Sequence, residues 1–357
     1  MAYTTIDDPT AYFQTKLYTG NSSTQSITFD GNTNMQPDWV WIKSRSVTEW
    51  HQVHDSVRGV AKYLFTNTNS VENERDPNDQ VTSFNSNGFS LGAGANDSVN
   101  SDGGSYASWN WKAGTSFTND ASSTSIGSID SAGSVNGTAG FSIIRWSGTG
   151  SNATIAHGLG SAPKMMIIKR LTGGTEQWIV YHQAISPAKH LFLNLTDAEN
   201  ADTNNFQNTA TTSSVFSVGT YNQMNASGTN NMIAYCFAEK KGYSKFGSYT
   251  GNGNADGTFV YTGFKPAWLM LKKSSASGNS WQIFDNKRDT GNALDNTLEA
   301  NDSTVEATGT DRLDFLSNGF KIRTNGSAQN ASGATLIYMA FAENPFVTST
   351  GVPATAR

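Results

Sequence analysis

The sequence contains one cysteine, Cys236, so it cannot form an intrachain disulfide bond. Charged residues are also scarce, at 15% of the chain compared with about a quarter in an average soluble protein. The net charge is −5 and no basic cluster stands out, whereas a protein that binds nucleic acid needs a positive surface for the phosphates. We therefore expect no nucleic-acid partner.

Long hydrophobic runs are absent as well. No apolar run reaches the roughly 18 residues of a membrane-spanning helix, so we expect no membrane span. The opening stretch MAYTTIDDPTAYF has neither the basic nor the apolar region of a signal peptide, which predicts a protein that is made in a cytoplasm and stays there or is released by lysis. Glycine, asparagine, serine and threonine are instead abundant, as is typical of many short strands joined by turns.

One pattern occurs three times along the chain. Each copy contains a proline, a short apolar run and a lysine six residues after the proline. These stretches read MQPDWVWIKSR, SAPKMMIIKR and GFKPAWLMLKK, and their lysines are Lys43, Lys169 and Lys272. Further blocks follow in the same order, namely HQVHD, WIVYH or WQIFD, then AKYLFTN, AKHLFLN or LDNTLEAN, then SNGFSLG, SSVFSVG or SNGFKIR, and finally YASWNW, MIAYCF or LIYMAF. The recurrence predicts three related units of about 95 residues each.

Each copy alternates short runs of aromatic and β-branched residues with turn signals, which predicts an antiparallel β-sandwich. The expected fold class is all-β, with three tandem antiparallel sandwiches that behave as separate, bead-like domains. The lysine that ends each apolar run is expected to lie at a strand edge or to reach solvent. The predicted boundaries are an N-terminal docking leader at 1–13, sandwich repeats at 14–113, 140–243 and 244–346, a Ser/Gly-rich linker at 114–139 and a C-terminal tail at 347–357.

The histidines of HQVHD are the first candidates for a metal site. His51 and His54 are three residues apart, so on a strand their side chains point to opposite faces and cannot readily hold one ion. Asp55, His182 and Asp285 occupy matching positions in the three copies, yet their residue type changes. A shared catalytic or metal-binding group would be expected to keep its identity, so this position predicts no reaction.

Other motifs also fail to indicate catalysis. GNGNADG lacks the glycine spacing of a phosphate-binding loop and precedes a strand-like stretch, which favours a simple turn. Asp76 and Asp79 could together hold a surface calcium ion, although a solvated loop is the simpler explanation. We therefore predict that the protein is not an enzyme, with no catalytic residue, no metal site and no cofactor.

The chain contains nine tryptophans, which could form platforms for sugar rings. Most of them lie in the repeated strand cores, where packing is the expected role, and these include Trp39, Trp41, Trp178, Trp268 and Trp281. Trp50 breaks the repeat pattern. It is therefore the candidate for an exposed aromatic residue that contacts a glycan.

Several stretches resemble virion proteins of marine tailed bacteriophages, which infect cyanobacteria and other ocean bacteria. The resemblance is carried by YTTIDDPTAYFQTKLYTGN, QPDWVWIKSR, VRGVAKYLFTN, FNSNGFSLG and YASWNWKAG, and it extends over nearly the whole chain. It implies tail-fibre-like or decoration proteins built from tandem jelly-roll or concanavalin-like sandwiches, and it implies no catalytic residue. The chain lacks the collagen-like or coiled-coil shaft of a long fibre, which favours a compact appendage.

The expected function is that of a non-enzymatic structural protein exposed on the virion. It is either a short tail fibre or receptor-binding protein, or a capsid decoration. The expected partners are other virion proteins of the tail or capsid, further copies of the chain in a homo-oligomer such as a trimer, and a host surface glycan.

Two alternatives stay open. A glycan-binding, lectin-like module without a structural role would place exposed aromatic residues in a shallow groove. A polysaccharide-degrading enzyme would place two carboxylates about 5–10 Å apart in a cleft.

Overall fold

The computed structural model describes residues 2–76, 78–93, 98–228, 231–310 and 312–355. Within these ranges the regular structure consists of 27 strands, three short α-helices and a 3-10 helix at Pro9–Ala11. None of these described helices is long and apolar enough to cross a membrane. Met1 of the predicted leader and residues 356–357 of the predicted tail lie outside the described residues.

The first unit, residues 13–111, pairs a larger sheet with a smaller one. Its strands are β1 (Phe13–Thr19), β2 (Gln25–Thr28), β3 (Trp39–Ser44), β4 (Gln52–Asp55), β5 (Lys62–Phe65), β6 (Asn73–Glu74), β7 (Val81–Asn85), β8 (Gly88–Leu91) and β9 (Ser105–Trp111). The larger sheet has the order β1-β9-β3-β4-β5-β6, and the smaller has the order β2-β8-β7. The turn signal SNGF joins β7 to β8, with Asn85 opposite Gly88.

The second unit, residues 115–237, has the same two layers with a longer first sheet. Its elements are β10 (Thr115–Asn119), α1 (Ala121–Thr124), β11 (Ser131–Asn136), β12 (Phe141–Ser147), β13 (Ala153–Ala156), β14 (Met165–Arg170), β15 (Ile179–His182), β16 (Lys189–Phe192), β17 (Asn200–Ala201), β18 (Val215–Val218), α2 (Asn222–Asn225) and β19 (Asn231–Phe237). The larger sheet has the order β10-β11-β12-β19-β14-β15-β16-β17, and the smaller sheet pairs β13 with β18.

The prediction of a linker at 114–139 is wrong, because this segment forms β10, α1 and β11. The hairpin extends the larger sheet of the second unit, since β10 pairs with β11 and β11 pairs with β12. Phe117 and Val135 pack against the core of that unit, while most of the remaining hairpin residues are polar and exposed. A hairpin at a sheet edge needs few apolar residues when one face is solvated, which explains its linker-like composition.

The third unit, residues 244–345, repeats the arrangement. Its elements are β20 (Ser244–Thr250), β21 (Phe259–Tyr261), β22 (Phe264–Lys273), β23 (Gln282–Asp285), β24 (Leu298–Glu299), β25 (Leu313–Leu316), β26 (Gly319–Ile322), α3 (Ser327–Asn330) and β27 (Thr335–Pro345). The larger sheet has the order β20-β27-β22-β23-β24, and the smaller has the order β21-β26-β25. All pairings between named strands are antiparallel, and the predicted all-β sandwich class is confirmed.

The units are not separate beads, because they share a core. Each unit has its own hydrophobic cluster between its two sheets, and a fourth cluster draws residues from the larger sheets of all three units. In this common core Trp39 stacks on Tyr235 with ring centroids 4.5 Å apart, and Trp111 meets Trp268 at 5.5 Å. Each larger sheet therefore buries one face inside its own unit and the other against its neighbours.

The repeated lysines are buried, contrary to the expectation of an edge or solvent position. Each is 0% exposed, and its Nζ donates a hydrogen bond to a backbone carbonyl of a neighbouring unit. The bonds join Lys43 to Ser303 at 3.1 Å, Lys169 to Asn69 at 3.0 Å and Lys272 to Thr196 at 3.0 Å. Burial lowers the pKa of all three ammonium groups to about 8. The lysine thus recurs because it ties each unit to the one before it in a closed ring.

Backbone hydrogen bonds repeat the same connection in the opposite direction. A glutamate amide of each unit donates to the carbonyl of the residue that lies two positions after the lysine of the next unit. These bonds run from Glu72 to Leu171 at 3.0 Å, from Glu199 to Ser274 at 2.9 Å and from Glu306 to Arg45 at 3.0 Å. Matching bonds at the three interfaces indicate threefold pseudosymmetry within the chain.

The leader closes this ring. Tyr3 Oη donates to the carbonyl of Gly263 at 2.7 Å, and Thr4 Oγ1 donates to the carbonyl of Lys241 at 2.8 Å. Tyr3 and Thr4 of the leader are therefore docked on the third unit and on the segment just before it.

Candidate binding groove between the first and second units

The matching positions Asp55 and Asp285 lie in the interior, where each contacts the next unit. Asp55 Oδ2 accepts a hydrogen bond from Tyr235 Oη at 2.7 Å, and Asp285 Oδ2 accepts one from Trp109 Nε1 at 3.0 Å. Each carboxylate also pairs with the arginine three residues later, at 2.5 and 2.6 Å. Both carboxylates are fully buried and their acceptor sites are used, so they hold units together.

At the third matching position, His182 bonds to a different kind of group in the next unit than Asp55 and Asp285 do. Tyr235 and Trp109 carry the donors at the other two interfaces, whereas the corresponding residue of the third unit is Met339, which has none. His182 Nε2 instead donates to the carbonyl of Tyr338 at 3.1 Å. The change of residue type along the repeat therefore follows the hydrogen-bonding capacity of the neighbouring unit.

His51 and His54 are fully buried, and one ring nitrogen of each already has a structural partner. His51 Nδ1 accepts from Trp41 Nε1 at 2.9 Å, and His54 Nε2 lies 3.1 Å from Gln52 Oε1. Burial lowers the pKa of His54 to about 3 and holds the pKa of His51 well below 6.5. Among the residues that the structure describes, no three His, Cys, Asp or Glu side chains converge as metal ligands.

The candidate calcium pair forms an ordinary turn. Asp76 Oδ1 accepts hydrogen bonds from the backbone and side-chain amides of Asn78, at 2.9 and 2.8 Å. The backbone amide of Asp79 donates to the carbonyl of Asp76 at 2.9 Å. An aspartate that bonds to the backbone two residues later stabilises a turn by itself, so the pair gives no reason to expect calcium.

Trp50 is 46% exposed, and its ring packs edge-on against Phe65 with centroids 4.6 Å apart. The tryptophans expected in the core are each at most 1% exposed, and these are Trp39, Trp41, Trp178, Trp268 and Trp281. Trp50 lies outside the cavities described next, so its role as a glycan contact stays a prediction.

The loop that follows the matching position of each unit contacts the next unit, and this contact differs between the three interfaces. The first interface joins the first and second units, the second joins the second and third units, and the last joins the third and first units. At the second interface Gln183 Nε2 donates to the carbonyl of Phe246. At the interface of the third and first units Lys287 Nζ lies 3.0 Å from Asp30 Oδ1, and a cavity of about 240 Å³ remains. At the first interface the position of Lys287 is taken by Val57, which cannot form an ion pair. The cavity there has a volume of about 750 Å³, and we call it the open groove.

The added hairpin and β12 form the floor of the open groove. Thr118, Ala132 and Arg145 lie side by side on β10, β11 and β12, and Ser116 and Ser134 form the next row. These positions alternate with the residues that pack into the second unit, so their side chains lie on the opposite face of the sheet. The loop of the first unit that contains Val57 forms the other wall.

Unused hydroxyl groups line this floor. Ser116, Thr118, Ser134 and Ser147 form no side-chain hydrogen bond within the described part of the chain. A hydroxyl both donates and accepts, so this row matches a ligand that is itself rich in hydroxyl groups.

Arg145 is the one basic residue among the described residues that line the open groove. It is half-buried, and its guanidinium forms no hydrogen bond or ion pair with any residue that the structure describes. Its strand neighbours are Ala132 and Ile233, which offer no charge. A partly desolvated guanidinium without an anion is unfavourable, and it forms paired hydrogen bonds with carboxylates and phosphates when they are present.

Two carboxylates at the end of the groove belong to the hairpin itself. Asp120 accepts hydrogen bonds from Ser122 and Ser123 at the start of α1, and these bonds lower its pKa. Asp130 Oδ1 accepts from the backbone amide of Ala121 at 2.9 Å. Catalysis of glycoside hydrolysis needs one carboxyl with a raised pKa, which Asp120 does not have.

Sequence reasoning missed the open groove because 114–139 reads as a linker. A usable signal was present in FSIIRWS, where one arginine interrupts an otherwise apolar strand. Its counterparts in the first and third units are Leu17 and Ser248, so the charge is confined to one copy.

Comparison with known proteins adds a family without a described function. No curated protein matches the chain. The model of a family described as a domain of unknown function (DUF7483) matches residues 8–345, which include all three units and the added hairpin. The chain therefore belongs to the DUF7483 family.

Proposed function

We propose that the protein is a non-enzymatic structural component of a bacteriophage particle. It is displayed on the particle surface, as a short tail fibre or receptor-binding protein or as a capsid decoration. The sequence resemblance to virion proteins of marine phages supports the location. The structural observation that carries the proposal is the common core, because three units in one chain are joined into a single body.

The use of the repeated polar residues also supports a structural role. The three lysines, the two buried aspartates and His182 all bond to neighbouring units. Polar groups that recur in an enzyme family usually surround a reaction centre, whereas these surround the unit interfaces. Such a body suits passive display, because its polar interior contributes specificity of assembly rather than chemistry.

The association of the chain with itself is part of the same proposal. The sequence predicts a homo-oligomer such as a trimer, while the internal pseudosymmetry gives one chain the three related faces of a trimer. Light scattering of the purified protein separates a monomer from a trimer of 38.3 kDa chains.

The proposal is tested on particles of the phage that encodes the chain. The protein should sediment with infectious particles in a density gradient, and a gold-labelled antibody should decorate them at a fixed place. A label on the head supports a capsid decoration, and a label on the tail supports a fibre or receptor-binding protein. Protein that stays in the soluble lysate, with no label on purified particles, would refute the proposal.

A glycan-binding module is the second candidate, and the open groove is the observation that favours it. Exposed aromatic residues are not needed for this reading, because hydroxyl groups and Arg145 supply the contacts. The groove also fits the proposed display, since a surface protein of a phage can hold the particle on a host glycan.

A further inference from the structure

The open groove breaks the pseudosymmetry at one place. At the other two interfaces this loop bonds to the next unit, through Gln183 in one and Lys287 in the other. The corresponding residues at the first interface are Ser56 and Val57, and neither side chain bonds to the second unit within the described part of the chain. The hairpin β10–β11 has no counterpart among the described strands of the first or third unit, and it enlarges this same groove. The hairpin thus enlarges the cavity at the interface that lacks the loop bond of the other two. We take this combination as an indication of a binding site for an extended ligand.

The chemistry of the lining defines the ligand. Arg145 presents an unpaired guanidinium, which selects a planar anion such as a carboxylate. The serine and threonine hydroxyls around it select a ligand rich in hydroxyl groups. The volume of about 750 Å³ lies in the range of pockets that hold small organic ligands, so a few sugar residues fit.

The charge around the groove argues against a polyanion. Asp120 and Asp130 lie at its far end, and the chain has a net charge of −5. A nucleic acid or a densely sulfated chain would meet repulsion there, whereas sugar hydroxyls can donate to these carboxylates. The combination therefore favours a ligand with isolated negative charges among many hydroxyl groups.

We propose that the open groove binds an acidic oligosaccharide, with a uronic-acid carboxylate on Arg145 and sugar hydroxyls on the serine and threonine row. The described part of the chain contains one such site. Its biological role as a host contact rests on the proposed function, but its chemistry does not. Binding by the purified protein and presence in the particle are separate measurements, so either proposal can fail while the other stands.

The test uses titration calorimetry of the purified full-length chain with two trisaccharides, neutral galactotriose and the same trisaccharide with one galactose replaced by galacturonic acid. We expect binding of the acidic trisaccharide and at least about tenfold weaker binding of the neutral one, because the guanidinium–carboxylate hydrogen bonds are lost. Arg145→Gln should weaken binding of the acidic trisaccharide by at least about tenfold, and Arg145→Lys should weaken it less. Arg323→Gln is the matched control and should bind normally, because Arg323 is on the surface of the third unit.

A second variant tests the place independently of the charge. Ala132 is exposed on the groove floor beside Arg145, so Ala132→Trp should fill the site while leaving the melting temperature unchanged. Equal affinity of the wild type and Arg145→Gln for the acidic trisaccharide would overturn the proposal. Absence of binding of the acidic trisaccharide would overturn it too, and binding of a hexaglutamate peptide in that case would assign the groove to an acidic protein segment.

Discussion

Acid should destabilise this protein well before its carboxylates titrate, because all five histidines are buried. Four of them accept an N–H group at Nδ1, and these are His51, His157, His182 and His190. A histidine that accepts at Nδ1 must carry its single proton on Nε2, so a second proton would replace an acceptor by a donor that faces another donor. Burial, the larger effect, also disfavours the charged ring.

The size of the effect follows from the pKa values. Burial lowers the pKa of His54 to about 3 and the pKa values of His157, His182 and His190 to about 4, compared with 6.5 for an exposed ring. Since the unfolded chain binds protons that the folded chain rejects, stability is fully present above pH 6.5 and falls as the pH approaches 4. At pH 5 each of these four histidines costs about 2 kcal/mol, or about 8 kcal/mol together, which rivals the total stability of a typical domain.

Urea unfolding followed by circular dichroism at pH 8, 6.5 and 5 measures this dependence. We expect the unfolding free energy to decrease only slightly between pH 8 and pH 6.5 and to decrease steeply between pH 6.5 and pH 5. His157→Gln retains one donor and one acceptor near Thr212 and Leu159, so its loss between pH 8 and pH 5 should be smaller by about 2 kcal/mol. Unfolding free energies that agree within about 1 kcal/mol at pH 8 and pH 5 would refute the reasoning.

Three further predictions concern the contacts between units. Trp41 contacts His51 in the first unit, whereas in the other two units the position of Trp41 holds a smaller residue and the position of His51 holds a tryptophan. Trp41→Met and His51→Trp should therefore each lower the unfolding free energy by about 1–4 kcal/mol, and the double variant should recover at least half of the summed loss. Simple additivity of the two losses would contradict the pairing. Tyr235→Phe should cost about 2 kcal/mol in urea unfolding because buried Asp55 loses a donor, and an unchanged midpoint would contradict this. The unfolding free energy should rise between pH 8 and about 9.5, because the buried repeat lysines lose their protons at a lower pH in the folded chain than in the unfolded chain. Lys169→Met should reduce this rise. An equal rise in the variant and the wild type would contradict the burial of the Lys169 charge.

The fold class could be predicted because its signals are local. Short runs such as WVWIK, with turn residues between them, predict strands wherever they occur, and the structure has strands at each of the repeated runs. The position of Lys43 could not be predicted in this way. Its partner is the carbonyl of Ser303, which is 260 positions away in the chain, and no local pattern identifies such a contact.

The candidate site was less accessible to sequence reasoning for a related reason. Strands β10 and β11 consist largely of serine, threonine and glycine, which favour loops when considered alone. They become strands because β12 offers an edge and because Phe117 can pack into the second unit. The open groove then depends on a difference between copies, with Val57 at the position of Lys287, that has meaning only when the interfaces are compared in space.

Calorimetric unfolding of the full-length chain tests most directly whether the three units form one body. Because the larger sheets share one core and are joined at each interface, we predict a single transition whose calorimetric enthalpy equals its van't Hoff enthalpy. Separate transitions, or a calorimetric enthalpy about three times the van't Hoff value, would mean that each unit unfolds independently, and would contradict the common core as the basis of the structure.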